Sequence, residues 1–279
     1  MGKFFILNAD NFGMSKEHNK AILEAYNNGF LTSAGLIANG EAFPAAVNDI
    51  LPECPNLSTG IQLNITIGKA LTDCKLLTDS NGNFNAGLIY IFINSRKKDF
   101  LLQIEKEFRA QIEKVQKNTS IMHLSSCSNI HMLPEIFKLV LNLAIEYKIP
   151  FIRTMHENIY FVPNIAKHLS IKYIFNFIKT LILNHFSNLN KDLIKATSIR
   201  TNDYIIGSEY ANLMDFTTID LGLKSINKDE LIVETIINPC YSPTLNNNNT
   251  AELALALDKK LEDSINRQGY EITNYKKLA

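Results

Sequence analysis

Short apolar runs alternate with longer amphipathic stretches along most of the chain. KFFILNAD (residues 3–10) predicts a first strand, and Ala21, Ile22 and Ala25 give residues 16–28 the spacing of a helix that Gly29 stops. TSAGLIANG (32–40) predicts a second strand, and a short helix over 45–50 is closed by Pro52 and Pro55. STGIQLNIT (58–66) predicts a third strand, and TDSNGNF (78–84) has turn chemistry. A charged amphipathic helix follows over 97–117, then a strand in SIMHLSSC (120–127). PEIFKLVLNLAIEYK (134–148) predicts a helix with proline in its first turn and a lysine at its end. FIRTM (151–155) predicts a strand, residues 170–196 a mostly helical region, and ELIVETIINPCY (230–241) a late strand. NNNN (246–249) predicts a solvated loop, and residues 251–269 a last helix.

Strands separated by helices in this order imply a parallel α/β fold. A (β/α) barrel and an open doubly wound sheet both fit, and either places its chemistry at the C-terminal ends of the strands. No internal repeat, heptad seam or linker divides residues 1–279, so one domain is expected.

Polar residues gather at those strand ends. The first strand ends in Asn8, Asp10 and Asn11, the third in Gln62, Asn64 and Thr66, and the fourth in Ser125, Cys127, Asn129 and His131. Arg153 interrupts the fifth strand, and Asn238 and Cys240 close the late one. Each has an ordinary alternative. Asp10 and Asn11 suit a turn; Gln62 suits an outward strand position; Cys127 suits a small buried site; His131 can brace the helix after it; and His123 suits a structural position. Arg153 is harder to explain away, because a guanidinium in an apolar strand needs a partner.

Composition narrows the function. Lys plus Arg equals Asp plus Glu at 28 each, which argues against a nucleic-acid binder or an anionic-membrane binder, though a local basic patch remains compatible. Cys54, Cys74, Cys127 and Cys240 are scattered without a CxxC pair, so neither a zinc ribbon nor a disulfide framework is indicated. The opening MGKFFILNAD lacks the pattern of a signal peptide, and no run reaches membrane-spanning length, so the cytoplasm is the expected compartment.

Five blocks resemble one family. NADNFGMSKEHNKAILEAYNNGFLTSAGLIANGEAF, TGIQLNITIGKAL, HLSSCSNIHMLPEIFKLVLNLAIEYKIPFIR, VETIINPCY and the C-terminal EL…GYEITNYKKL occur in the order found in the YdjC-like carbohydrate deacetylases. That group includes chitooligosaccharide deacetylase and a hopanoid-associated member. The resemblance implies an irregular, TIM-like (β/α) barrel and a divalent ion, magnesium or zinc. It also implies hydrolysis of the acetamide of an N-acetylated sugar, and a possible homodimer.

It assigns the general base to Asp10. The three metal-ligand positions fall on Asn11, Gln62 and Cys127, where the family has Asp, His and His. Ser125 and Asn129 replace a further Asp and His, while His131 and Arg153 are kept. Asn129, His131 and Arg153 are the expected substrate-binding positions. Asn238 stands where the family places the His that protonates the leaving amine. Two neutral amides and a thiol lack the charge that holds a hard cation, and Asn cannot cycle a proton near neutral pH. The expectation is therefore a deacetylase with lost or strongly reduced activity. The alternatives are a hydrolase with a shifted ligand set built on Asp10, Cys127 and His131, or a non-catalytic carbohydrate-binding or interaction protein on the same fold.

Overall fold

Strand alternation sorts the side chains of this protein into an inner and an outer face, and the computed structural model describes them over residues 2–163, 170–241 and 248–279. Along β1 (Lys3–Phe12), Phe5, Leu7 and Ala9 pack into the large core shared with the helices, while Ile6 joins a small separate cluster with Phe151, Ile232 and Tyr275. The next residues on the Ile6 side are Asn8 and Asp10, so the inner face is apolar at the bottom and polar toward the strand ends.

The sheet is wholly parallel, in the order β5-β4-β3-β2-β1-β7-β6, with β8 beside the start of β1. The other strands are β2 (Ser33–Leu36), β3 (Ser58–Leu63), β4 (His123–Ser126), β5 (Phe151–Ile152), β6 (Tyr204–Ile206), β7 (Leu231–Ile237) and β8 (Tyr270–Ile272). The sheet curls until its two edges approach. Ile152 N–H donates to the Arg200 carbonyl (3.0 Å), Thr154 N–H to Asn202 Oδ1 (2.8 Å) and Ile205 N–H to the His156 carbonyl (2.8 Å). Of the two architectures open to the sequence, this is the barrel-like one.

The helices are α1 (Lys16–Asn28), α2 (Phe43–Ala45), α3 (Leu88–Asn94), α4 (Lys98–Gln116), α5 (Pro134–Glu146), α6 (Ile171–Lys195), α7 (Phe216–Lys224), α8 (Asn248–Ala256), α9 (Lys259–Arg267) and α10 (Tyr275–Leu278), the last of which sets Tyr275 against Ile6 and Phe151 at the bottom of the inner face. Ser15 caps α1 and Ser170 caps α6, each accepting from a backbone N–H three residues on.

Several sequence expectations need correction. The strands expected over 32–40, 58–66 and 151–155 stop at Leu36, Leu63 and Ile152, which leaves Arg153 just past the end of β5. The last helix is two, because Asp258 caps α9 and separates it from α8. The asparagine run at 246–249 lies partly outside the described residues, and Asn248 already begins α8. The strand expected to reach Cys127 stops at Ser126, where a 3-10 turn (Cys127–Met132) begins.

Candidate functional site

Because every strand is parallel, their C-terminal ends lie on one side, and the polar inner residues meet there. Gly35 of β2 marks the spot: a Cβ on it would lie 3.4 Å from Gln62 Cβ, 3.6 Å from Asp10 Oδ1 and 3.8 Å from Ser125 Oγ. Absence of a side chain at position 35 leaves room for all three.

Arg153 is fully buried and organises the floor. Its Nη1 donates to Asp10 Oδ2 (3.0 Å) and its Nη2 to Asp10 Oδ1 (2.9 Å). Its Nε donates to both oxygens of Glu234 at 3.0 Å, and Nη2 also reaches Glu234 Oε1 at 2.6 Å. The Tyr275 hydroxyl donates to Glu234 Oε2 at 2.7 Å from below. Two carboxylates satisfy the guanidinium, and they hold its pKa above the ordinary arginine value against the opposing effect of burial.

Asp10 receives two further donors. Asn8 Nδ2 donates to Oδ1 at 2.9 Å, and Gln62 Nε2 to Oδ2 at 2.9 Å. A carboxylate offers about four acceptor directions, and here Arg153, Asn8 and Gln62 occupy all of them.

Two of the three expected ligand positions, Asn11 and Gln62, bond to each other. Gln62 Oε1 accepts from Asn11 N–H at 2.8 Å, so both ends of that amide are committed. Asn11 Nδ2 donates to Asn238 Oδ1 at 3.0 Å. Asn11 has φ +66°, a left-handed conformation that asparagine tolerates well. Cys127 is buried; burial, with Asp10 nearby, pushes its thiol far above the ordinary 9, so it stays protonated at neutral pH.

A divalent ion implied by the resemblance needs anionic or imidazole donors with free lone pairs. The residues present do not fit one: Gln62 is committed at both ends, Cys127 is a neutral thiol, and Asn11 adds only a neutral amide. Among the described residues, no group of three His, Cys, Asp or Glu side chains is placed to hold a metal ion. No disulfide involves any of the four cysteines.

His131 is fully buried. Its Nδ1 pairs with Ser126 Oγ at 2.6 Å and its Nε2 with the Arg153 carbonyl at 3.0 Å. Burial lowers its pKa to about 3, so the ring is neutral and steadies the backbone that carries Arg153. Asn129 is half-buried with φ +57°, following Ser128 at +55°. It lines a hollow of about 310 Å³ with Ser128, Leu133, Lys179, Leu183 and Phe186. Burial lowers the Lys179 pKa, opposed by the carboxylates of Glu157 and Asp10, which places this ammonium within electrostatic reach of Asp10. A second hollow, of about 380 Å³, lies over the loops after β1, β2 and β3, lined by Ser15, His18, Asn39, Asn64 and Ile67.

Sequence reasoning missed Glu234, Lys179 and Glu252. Glu234 was detectable as a single acid inside an apolar strand, on the same footing as Arg153. Lys179 interrupts the apolar run of α6 in the same way. Glu252 had no local signal: it belongs to an ordinary amphipathic segment, yet it is buried, and its Oε2 accepts from Asn238 N–H at 2.6 Å.

Comparison with known proteins gives a consistent family. The model of the YdjC-like protein family matches residues 4–267. A carbohydrate deacetylase of Brevibacillus brevis is 38% identical over 147 residues, 52% of this chain and 57% of that one. A chitooligosaccharide deacetylase of Salmonella paratyphi B is 32% identical over 149 residues, 52% of this chain and 56% of that one. The chain thus spans little more than half the length of these relatives. The crystal structure of a proposed cellobiose-phosphate cleavage protein from Enterococcus faecalis superposes over all of both chains, with a TM-score of 0.76 at 22% identity, and so shares the fold.

Proposed function

This chain belongs to the YdjC-like protein family, and from that premise we propose that it binds an N-acetylated sugar of the chitooligosaccharide type while its metal-dependent deacetylation is lost or strongly reduced. Support for the substrate class comes from relatives named carbohydrate deacetylase and chitooligosaccharide deacetylase. One observation carries the reduced activity: the Asp10 carboxylate has Arg153, Asn8 and Gln62 on every acceptor direction. A general base must have a lone pair within reach of the proton it takes. Asp10 has none left, and the neighbouring positions carry amides and a neutral thiol in place of charged donors.

Family chemistry relies on a divalent ion, magnesium or zinc, to acidify water and polarise the acetamide. In this chain Asn11, Gln62 and Cys127 would hold such an ion weakly or not at all. Asn238 supplies no proton to a leaving amine; its amide serves Asn11. Asn129 and Lys179, at the edge of the hollow beside α6, are the groups we assign to sugar hydroxyls, with Arg153 and His131 holding the floor beneath.

A second copy of the chain is the proposed protein partner. Ile89, Phe92 and Ile93 on α3, and Ile174, Phe175 and Ile178 on α6, stand 48–78% exposed. The two helices adjoin where Phe92 and Phe186 have ring centres 6.5 Å apart, and exposed apolar residues grouped on neighbouring helices are a common mark of a protein interface. A reducing compartment, the cytoplasm, suits four thiols without a disulfide. Among the described residues no helix is long and apolar enough to cross a membrane.

Thermal shift with N-acetylglucosamine oligomers tests the binding half of the proposal. A saturable rise in Tm that grows with chain length supports it. No shift at millimolar oligomer favours the interaction-protein alternative.

A further inference from the structure

Helix α6 is held to the barrel by polar bonds and turns apolar residues outward. Tyr173, Asn176, Thr180 and Asn184 recur at helical spacing and so share one face. The Asn176 amide donates to the Ala211 carbonyl at 2.8 Å, and the Thr180 hydroxyl to Ser208 Oγ at 2.9 Å. Asn184 accepts from Glu157 N–H and donates to the Glu157 carbonyl, both at 2.8 Å. Phe177 and Leu183 flank this stripe and pack on the core. On the other side of the helix, Ile174, Phe175, Ile178 and Leu181 stand 47–68% exposed.

Two buried carboxylates tie that stripe to the strand ends. Glu157, past the end of β5, accepts three successive backbone N–H groups of the loop after β6: Gly207 at 2.8 Å, Ser208 at 3.0 Å and Glu209 at 2.8 Å. Gly207 has φ +125°, a conformation that glycine adopts without strain. Glu209 is also buried, and it accepts from the Tyr173 hydroxyl of α6 at 2.9 Å and from Tyr160 N–H at 3.3 Å. Helix α6, the segment after β5 and the loop after β6 are therefore one bonded unit at the rim of the barrel.

The charge of this unit is not balanced by contact. Each of these donors to Glu157 and Glu209 is neutral, and among the described residues no salt bridge joins either carboxylate to a cation. Lys179 is the charged neighbour on α6; its ammonium lies within the field of Glu157 and Asp10, and Asp10 is already paired with Arg153. Tyr160, Tyr173 and Tyr210 face the pair as well, and burial raises all three of their pKa values, so they stay neutral near pH 7. Asp215, within reach of Tyr160, adds a further negative charge. Like charges placed together in a dry site favour holding one proton between them. Burial first, and then Glu209, raise the Glu157 pKa to about 7 against its three N–H donors, and burial raises that of Glu209.

We propose that α6 is a pH-sensitive strap: a proton held by the Glu157 and Glu209 pair keeps it fastened, and loss of that proton lets α6 and the loop after β6 loosen together while the rest of the barrel stays folded. A carboxyl whose folded-state pKa lies above its unfolded value contributes its full stability below pH 4.5 and loses it as pH rises through about 7. Lys179, Ile182, Leu183 and Phe186 of α6 form one wall of the hollow of about 310 Å³ that Asn129 also lines, so loosening takes that wall away. The strap does not depend on what the hollow holds.

Hydrogen–deuterium exchange of the ligand-free full chain at pH 6 and pH 8 tests this, read as protection factors corrected for the base-catalysed rise in intrinsic exchange. Protection over residues 171–184 and 207–211 is expected to lie below that of α4 at both pH values, since the strap opens without the barrel. It is expected to fall in both segments by about tenfold from pH 6 to pH 8, one decade for the pH unit that separates 6 from the Glu157 value of about 7. Glu157→Gln cannot titrate, and where circular dichroism shows it folded, its fall is expected to shrink to about threefold or less. The parent measurement decides alone if that variant does not fold. Equal protection of α6 at the two pH values in the parent, protection of α6 no lower than that of α4, or an undiminished fall in folded Glu157→Gln overturns the proposal.

Discussion

Asp10, Arg153 and Glu234 form a buried ionic group with more anions than cations, and its neutral donors make up the difference. Asn8, Gln62 and Tyr275 each give a hydrogen bond to one of the carboxylates. Removing the cation from such a group leaves charges with no counterion, which typically costs about 3–5 kcal/mol. Arg153→Met is therefore expected to lower the unfolding free energy by about that amount, read from the urea midpoint at constant m; a loss below about 1 kcal/mol contradicts the arrangement. A buried carboxyl beside the site gives a pH signature. Burial raises the Glu252 pKa from its ordinary 4.5 to about 7. The folded state then holds a proton between these values that the unfolded state has released, so its contribution is full below pH 4.5 and falls as pH rises through 7. Glu252→Gln lacks that loss. Its stability relative to the parent is expected to improve by on the order of 3 kcal/mol from pH 4.5 to pH 8, in urea titrations at both pH values.

The strands and most helices were legible because their periodicity is strong and each apolar face has a partner. β1, β3 and β7 follow the apolar runs, and α1, α4 and α5 follow their helical spacing. Some short elements were legible from the apolar runs around them, as β2, β4 and β5 were, whereas β6 and β8, of three residues each, were not; β6 pairs with β7 and β8 with the start of β1. Helix α7 did carry a signal, the capping box of Asp215 and Thr218, which went unused. At the site, the residue types at the strand ends could be read, while the closed hydrogen-bond pattern among them could not. That Asn11, Gln62 and Asn238 satisfy one another, and that Glu234 shares Arg153 with Asp10, follows only from the register of distant strands. One element-level contact is similarly hidden. His123 of β4 lies over Gly60 of β3 and stacks on Tyr275 with ring centres 4.5 Å apart; a Cβ at position 60 would collide with its ring. Gly60→Ala is expected to destabilise by about 1–3 kcal/mol. The cost of that substitution is expected to fall to less than half in a His123→Ala background, a coupling measured by a double-mutant cycle. Equal costs in both backgrounds contradict the contact.

The whole molecule pairs a closed polar centre with an open apolar flank. The model of the YdjC-like family matches residues 4–267, and Asn11, Gln62, Cys127 and Asn238 stand in a well-formed barrel-like setting. The flank of α3 and α6 is expected to meet its counterpart on a second chain. Sedimentation velocity is expected to give a dimer for the parent protein and a monomer for Phe175→Glu, since a charge at the centre of an apolar interface is costly to bury. A monomer for both contradicts the proposed dimer.

Elemental analysis of the purified chain after dialysis against zinc and magnesium, paired with acetate release from chitobiose, is the most direct single test. Less than about 0.1 equivalent of metal and no acetate above the buffer rate are expected from the parent, while Asn11→Asp/Gln62→His/Cys127→His is expected to retain close to one equivalent, because it restores the carboxylate and imidazole donors that such an ion needs. A parent protein that keeps one equivalent of zinc or magnesium and releases acetate contradicts the proposed loss of activity.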